Sequence, residues 1–302
     1  MRIVVVGATG DVGRCVVAQL CDRGHAVVAT SRSPERAAAV DPRAETAITS
    51  VAEAATLAPL LAGADRIINI AHASTIERLI PLVPATCQRL IVIGSTRRYS
   101  AVPDRGADDV RNGEKIFHHS KLPGSMLHPT MIYGGDHERN VGRILSLAHN
   151  WPRWLPLLWP VPDGGSALVQ PVYIDDVVSA IVAAATTDGP IARTIVVAGP
   201  RPIPLAEMLR ACASVHGRRL RILPVPTIML IGAARIVAVF SKRGLFSVAE
   251  LQRSREEKAY DIDALRSQLA VEPRSFVDGL RRLGVRQLAK TKLGCTEQSA
   301  GG

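Results

Sequence analysis

The chain begins with an order of residues that leaves little choice of fold. Ile3-Val4-Val5-Val6 is an apolar, β-branched run of the kind that forms a buried parallel strand. It runs straight into Gly7-Ala8-Thr9-Gly10-Asp11-Val12-Gly13. Beyond that turn, Arg14 to Arg23 carries apolar residues at helical spacing through Val16, Val17 and Leu20. Strand, glycine turn and helix place an anion on a helix N-terminus, where free N–H groups and the helix dipole favour negative charge. Gly7 makes the tight turn, Gly10 lets backbone approach a phosphate, and Gly13 lets helix and strand pack closely. The spacing is G-x-x-G-x-x-G rather than G-x-G-x-x-G. Gly7, Thr9, Gly10, Asp11, Val12 and Gly13 are therefore expected to cradle the pyrophosphate of a dinucleotide.

The next strand, His25 to Thr30, shows which dinucleotide. A site that prefers NAD ends this strand with an acid for the ribose hydroxyl. Ser31-Arg32-Ser33 stands there instead, and a guanidinium forks well onto a 2′-phosphate. NADP(H) is expected over NAD(H), through Arg32.

Strands and helices then alternate. A weak third strand lies in Pro42 to Ser50, followed by an alanine-rich helix, Val51 to Leu61. Arg66 to Ile70 is a clear fourth strand ending in Ala71-His72-Ala73-Ser74. Small residues there let a nicotinamide ribose lie on the backbone; His72 either touches the cofactor or caps a loop. Ile76 to Thr86 reads as a helix disturbed by Pro81 and Pro84, and Arg89 to Gly94 as a fifth strand ending in Ser95-Thr96. A helix over Asp108–Ser120, a short strand over Gly124–Pro129, a strand-then-helix at 170–181, a strand over Ile195–Ala198 and a helix over Pro204–His216 follow. The fold class is α/β, a doubly wound parallel sheet with ligands at the carboxyl ends of its strands.

Composition narrows the function. The net charge of +10 comes from arginines scattered along 302 residues, with no basic block and no nucleic-acid motif, so an anionic cofactor explains part of it better than nucleic acid does. Five cysteines show no C-x-x-C spacing and read as reduced thiols of a cytoplasmic chain. With Met1 almost beginning the first strand, no signal peptide is expected before it. A homodimer is the default oligomer.

Together, GATGDVG at 7–13, IVIGST at 91–96, HPTMIYG at 128–134, QPVYIDDVVSAI at 170–181 and EPRSFVDGL at 272–280 resemble the short-chain dehydrogenase/reductase superfamily. The likeness is to its extended and atypical side, which includes NAD-dependent epimerase/dehydratase proteins, and it covers nearly the whole chain. It implies a dinucleotide-binding domain over 1–132, with later segments such as 170–198 returning to it, and a smaller substrate lobe over 133–288. It also implies a Tyr-x-x-x-Lys pair on the helix after the fifth strand, the lysine holding the nicotinamide ribose and lowering the tyrosine pKa. Counting back from Glu114, those positions fall near Gly106 and Val110, and the pair is absent. Phe117-x-x-x-Lys121 has the spacing with the wrong first residue. Ser95 and Tyr99 are the remaining catalytic candidates, with Thr96 beside them. Tyr133 resembles a tyrosine lining the cofactor–substrate cleft. Lys115 is turned off the catalytic face, His128 reads as a structural histidine, and Asp175 and Asp176 as helix caps.

Two apolar stretches remain. Trp151 to Pro160 holds all three tryptophans, and its prolines bar a long helix, which leaves a rigid apolar loop that packs, walls a pocket or meets a membrane interface. Thr227 to Phe240 is too short to span a membrane and reads as a core helix beside the substrate pocket, with an in-plane membrane contact through its basic flanks as the weaker alternative. Residues 289–302 read as a disordered tail. The leading expectation is an NADP(H)-binding oxidoreductase acting on a small or apolar carbonyl or alcohol substrate. The alternatives are a catalytically silent NAD(P)-binding regulator or assembly subunit, and a sugar-nucleotide epimerase or dehydratase.

Overall fold

A computed structural model of the chain describes residues 1–136, 141–232 and 248–284. β1 (Arg2–Val6), β2 (Ala26–Ser31), β3 (Glu45–Ile48), β4 (Arg66–Asn69), β5 (Arg89–Ile93) and β6 (Gly124–Pro129) form a parallel sheet. β11 (Thr194–Val197) joins it from far along the chain, giving the order β11-β6-β5-β4-β1-β2-β3. The direction of progression reverses between β1 and β4, the place where such sheets bind ligands at their carboxyl edge.

Alternate residues of β1 serve opposite sides of the sheet. Ile3 and Val5 belong to a core with α1 (Asp11–Asp22), through Val16, Val17 and Leu20, and with α7 (Ile174–Thr186). Val4 and Val6 belong to a second core with α3 (Ala54–Ala62) and α5 (Arg105–His119), through Leu57, Leu61, Val110 and Phe117. A strand buried on both faces needs an unbroken apolar run, which Ile3 to Val6 supplies. Arg66, itself buried, spans from β4 to the far end of α7, donating to the Thr187 carbonyl at 2.8 Å and meeting Asp188 at 2.6 Å. It caps carbonyls that the helix leaves unpaired.

Short helices α2 (Pro34–Ala37) and α4 (Ile76–Leu79) sit on the edges. α4 is shorter than the sequence suggests, because Pro81 turns the chain into a 3-10 turn over Ile80–Leu82. Beyond β6 lie β7 (Ile132–Tyr133), α6 (Val141–Asn150), β8 (Leu157–Pro162), β9 (Leu168–Val169), β10 (Val172–Tyr173), β12 (Ile203–Pro204), α8 (Leu205–Ser214) and β13 (Leu220–Val225). These small strands pair as β7–β10, β9–β12 and β8–β13. Their residues are continuous with the core on the α1 side of the sheet.

Three expectations need correction. Residues 151–160 are not a loop throughout: from Leu157 the chain is a strand, and Leu157, Trp159 and Val161 point inward while Leu158 faces out. Proline at alternate positions suits a two-stranded edge ribbon, where ladder donors are few. The preceding turn is held by Arg218, which donates to the carbonyls of Trp151, Pro152 and Leu155. The stretch from Thr227 is helical over 227–232, but Ile228 is 80% and Met229 64% exposed, so these residues are not core. Its remainder, 233–240, and the tail at 289–302 lie outside the described residues. Asp175 and Asp176 do not cap: Tyr173 holds the N-cap position of α7. Buried Asp176 instead accepts from the Arg274 amide at 3.0 Å and its guanidinium at 2.8–2.9 Å, tying the EPRSF segment to the helix.

Among the described residues no helix is long and apolar enough to cross a membrane, no metal-ligating cluster occurs, and Cys15, Cys21, Cys87 and Cys212 form no disulfide.

Candidate dinucleotide and substrate site

The glycine turn has the shape a dinucleotide requires. Gly7 adopts φ +84°, and a Cβ there would stand 2.8 Å from the Ala71 amide nitrogen at the end of β4. At Gly13 a Cβ would come within 2.4 Å of the Gly7 carbonyl oxygen, so the start of α1 lies directly on the turn. Gly10 is different: nothing lies within 4 Å of its Cβ position. It is also the N-cap of α1, and no side chain caps that end. The donors of the first turn therefore face an open concavity, and the residues fit a pyrophosphate. Asp11 lies in this first turn with its carboxylate 3.0 Å from Arg14, whose guanidinium also meets Asp136 at 3.4 Å. Thr9 and Val12 are half-buried in the same turn.

Arg32 follows β2 directly and is exposed, while Ser31 beside it is buried and donates its hydroxyl to the Ser33 carbonyl. No carboxylate stands at the end of this strand; Glu35 belongs to the next helix, α2.

A cavity of about 250 Å³ opens where β4, β5 and α5 meet, lined by Ala71, His72, Ile93, Ser95, Arg97, Gly106 and Val110 among others. Ala71 both backs Gly7 and lines this cavity, so turn and cavity share one edge of the sheet. Gly106 and Val110, where counting from Glu114 puts the absent tyrosine and lysine, both stand on the cavity wall. The space opposite Gly106 belongs to Arg97, whose Nη1 lies 2.7 Å from where a Cβ would be. Sequence reasoning passed over Arg97. It lies two residues beyond Ser95, just past the carboxyl end of β5.

Ser95 and His72 are the hydroxyl and the imidazole of the lining. Ser95 Oγ accepts from the Arg97 amide at 3.2 Å, which leaves its own proton to give. His72 Nδ1 accepts from the Ser74 amide at 3.3 Å and lies 2.9 Å from the Ser74 hydroxyl, which assigns the ring proton of the neutral form to Nε2. His72 thus caps its turn and lines the cavity at once.

Tyr99 is elsewhere. Its ring packs against Tyr260 at 5.5 Å between centroids, with Arg98 over it, and it is not part of the cavity lining. Tyr133 corrects the expectation of a cleft residue. It is fully buried, donates to the Phe276 carbonyl at 3.2 Å, and packs between Tyr173 and Phe276; burial pushes its phenol far above the ordinary range. Lys115 is exposed on the outer side of α5.

Behind the cavity wall a charge cluster gathers around buried Glu114. Glu114 contacts Arg98 and lies 3.5 Å from His128 Nε2 and 3.6 Å from His118 Nε2. Burial pushes its carboxyl up, but the hydrogen bond and charge of His128, then the charges of Arg98 and His118, outweigh that and leave it below the ordinary range. His128 is fully buried, and its Nδ1 sits 3.2 Å from both the amide nitrogen and the carbonyl oxygen of Ser95. It positions Ser95 rather than reaching the cavity.

Known proteins share parts of this arrangement. Residues 7–142 match a family described as NAD(P)H-binding. The photosystem II assembly factor Ycf39 of Synechocystis sp. (strain ATCC 27184 / PCC 6803 / Kazusa) is 26% identical over 246 residues, covering 76% of this chain and 72% of that protein. The epimerase Mth375 of Methanothermobacter thermautotrophicus has a TM-score of 0.72 at 15% identity, over 97% of this chain and 93% of that one. UDP-glucuronic acid 4-epimerase from Bacillus cereus, solved with UDP-glucuronic acid and NAD, gives 0.69 at 18% identity, over 95% and 100%. At such identities the two structures share the fold.

Proposed function

We propose that this chain, an NAD(P)H-binding Rossmann protein with the fold of the short-chain dehydrogenase/reductase and NAD-dependent epimerase/dehydratase proteins, is an NADP(H)-dependent oxidoreductase. Its substrate is a small carbonyl compound or the corresponding alcohol. The observation that carries this reading is the cavity at the β4–β5 edge, which adjoins the phosphate turn through Ala71 and presents Ser95 and His72.

Gly7, Gly10, Gly13 and the first turn of α1 would hold the pyrophosphate, and Arg32 the 2′-phosphate, which favours NADP(H) over NAD(H). When bound, the cofactor supplies hydride exchange. Ser95, steadied by His128 and by the Arg97 amide, donates a hydrogen bond to the substrate oxygen. His72, largely exposed, exchanges the proton with solvent. The protein works in the cytoplasm.

Turnover of NADPH with a panel of small aldehydes, ketones and oxo acids tests this. Oxidation that Ser95→Ala slows at least about tenfold in kcat, with NADPH affinity retained, supports it. NADPH binding without turnover of any panel member replaces it with a second reading, favoured by Gly106 and Val110 on the cavity wall and by the likeness to an assembly factor. In that reading the protein binds NADP(H) as a regulatory or assembly component.

A further inference from the structure

Arg97 occupies the cavity where a phenol would stand in an enzyme with the Tyr-x-x-x-Lys pair. The lining is otherwise apolar or neutral: Ile70, Ala71, Ala73, Ile93, Gly94 and Val110, with Ser95 and His72 as its other polar side chains. The guanidinium is half-exposed. The acid nearest to it is Asp104, whose Oδ2 lies 3.4 Å from Arg97 Nε but 2.9 Å from the Arg253 guanidinium. One carboxylate is thus shared between two arginines and committed more closely to Arg253. Asp109, the acid on the neighbouring turn of α5, faces His72 at 4.0 Å. Arg98 is spent on Glu114 behind the wall. The Nη edge of Arg97 therefore brings only partly compensated positive charge to a small, largely apolar chamber.

We infer that this cavity selects a substrate carrying a carboxylate next to the reacting carbon, the carboxylate held by Arg97 while the Ser95 hydroxyl serves the reacting oxygen. A guanidinium presents paired donors that match the two oxygens of a carboxylate. The surrounding apolar wall lowers the local dielectric and strengthens that pairing relative to water. A neutral ketone would displace water from the Nη edge of Arg97 without offering a charge in return, a cost that separates acids from their neutral analogues. The substrate class is then a small 2-oxo acid or 2-hydroxy acid with an aliphatic side chain against Ile70, Ile93 and Val110. This inference rests on the oxidoreductase reading and sharpens it to one chemical class.

The test uses the full chain and a matched pair of probes, 4-methyl-2-oxopentanoate and its amide, titrated calorimetrically with and without saturating NADPH. The acid is expected to bind at least about tenfold tighter than the amide, and Arg97→Gln to remove that difference; tenfold corresponds to about 1.4 kcal/mol. Arg97→Lys, which keeps the charge without the fork, is expected to retain part of it. Equal affinity for acid and amide, or a preference that survives in Arg97→Gln, overturns the inference. So does an Arg97→Gln variant that loses NADPH affinity by the same factor, because Arg97 then serves the cofactor. The NADPH titration stands apart: its failure sinks the oxidoreductase reading, while the acid–amide comparison without cofactor still reports on Arg97.

Discussion

Gly10 and Gly13 look alike in the sequence and do opposite work. Gly13 is a packing residue: a side chain there would enter the Gly7 carbonyl at 2.4 Å. Gly10 has open space above it, so its lack of a side chain serves whatever approaches from outside. The three-glycine spacing was legible as a unit, but only the structure separates these roles. The place of Arg32 was equally legible, since an acid is missing from the end of β2 and a cation follows it; its role toward a 2′-phosphate is the proposal that a charge reversal tests. Arg32→Glu places a carboxylate where a ribose hydroxyl would be bound. It is expected to lower the ratio of NADPH to NADH affinity at least about tenfold, measured as dissociation constants for both cofactors. An unchanged ratio would mean that Arg32 does not select between the two cofactors. Tyr99 and Tyr133 were poorly legible because a tyrosine's role depends on what surrounds its ring, and in both cases the surroundings come from far along the chain: Tyr260 for one, Tyr173 and Phe276 for the other.

α5 carries two separable devices on neighbouring turns. Gly106 and Val110 open the cavity, and Glu114, one turn further, anchors the helix to β6 through His128. The Glu114 contribution to stability has a definite pH signature. Its folded-state pKa lies below the ordinary value of 4.5, so the contribution is complete above that value. It is lost as the pH falls through the lower, folded-state value. Glu114→Gln is expected to cost about 2 kcal/mol near neutral pH, read as a shift in urea midpoint. The gap between variant and wild type should narrow as the pH falls below 4.5. A gap that stays constant on acidification would mean that the carboxylate charge plays no part. The strands and helices of the sheet were readable from apolar runs of four to six residues. The ribbon β8–β13 was not, because its prolines argue against regular structure and its partner strand lies about sixty residues away. The Asp176–Arg274 pair escaped for the same reason: local logic assigns an acid at a helix start to capping, and the true partner is 98 residues distant.

Over the whole molecule, motif order established the α/β class, and the sheet order β11-β6-β5-β4-β1-β2-β3 puts the reversal between β1 and β4, beside the glycine turn. The cavity was half legible: Ser95, His72 and the two positions without Tyr and Lys could be counted out from neighbouring motifs. Arg97 could not, because a lone arginine after a strand has no motif to distinguish it from the other scattered arginines. The central claim is that the Gly7–Gly13 turn holds a dinucleotide, and NADPH titration of the purified wild-type protein and of Gly10→Asp tests it most directly. Gly10→Asp puts a carboxylate into open space, so the variant should fold like wild type while its NADPH affinity drops at least about tenfold. Binding that is absent in the wild type, or that survives undiminished in Gly10→Asp, would contradict the account.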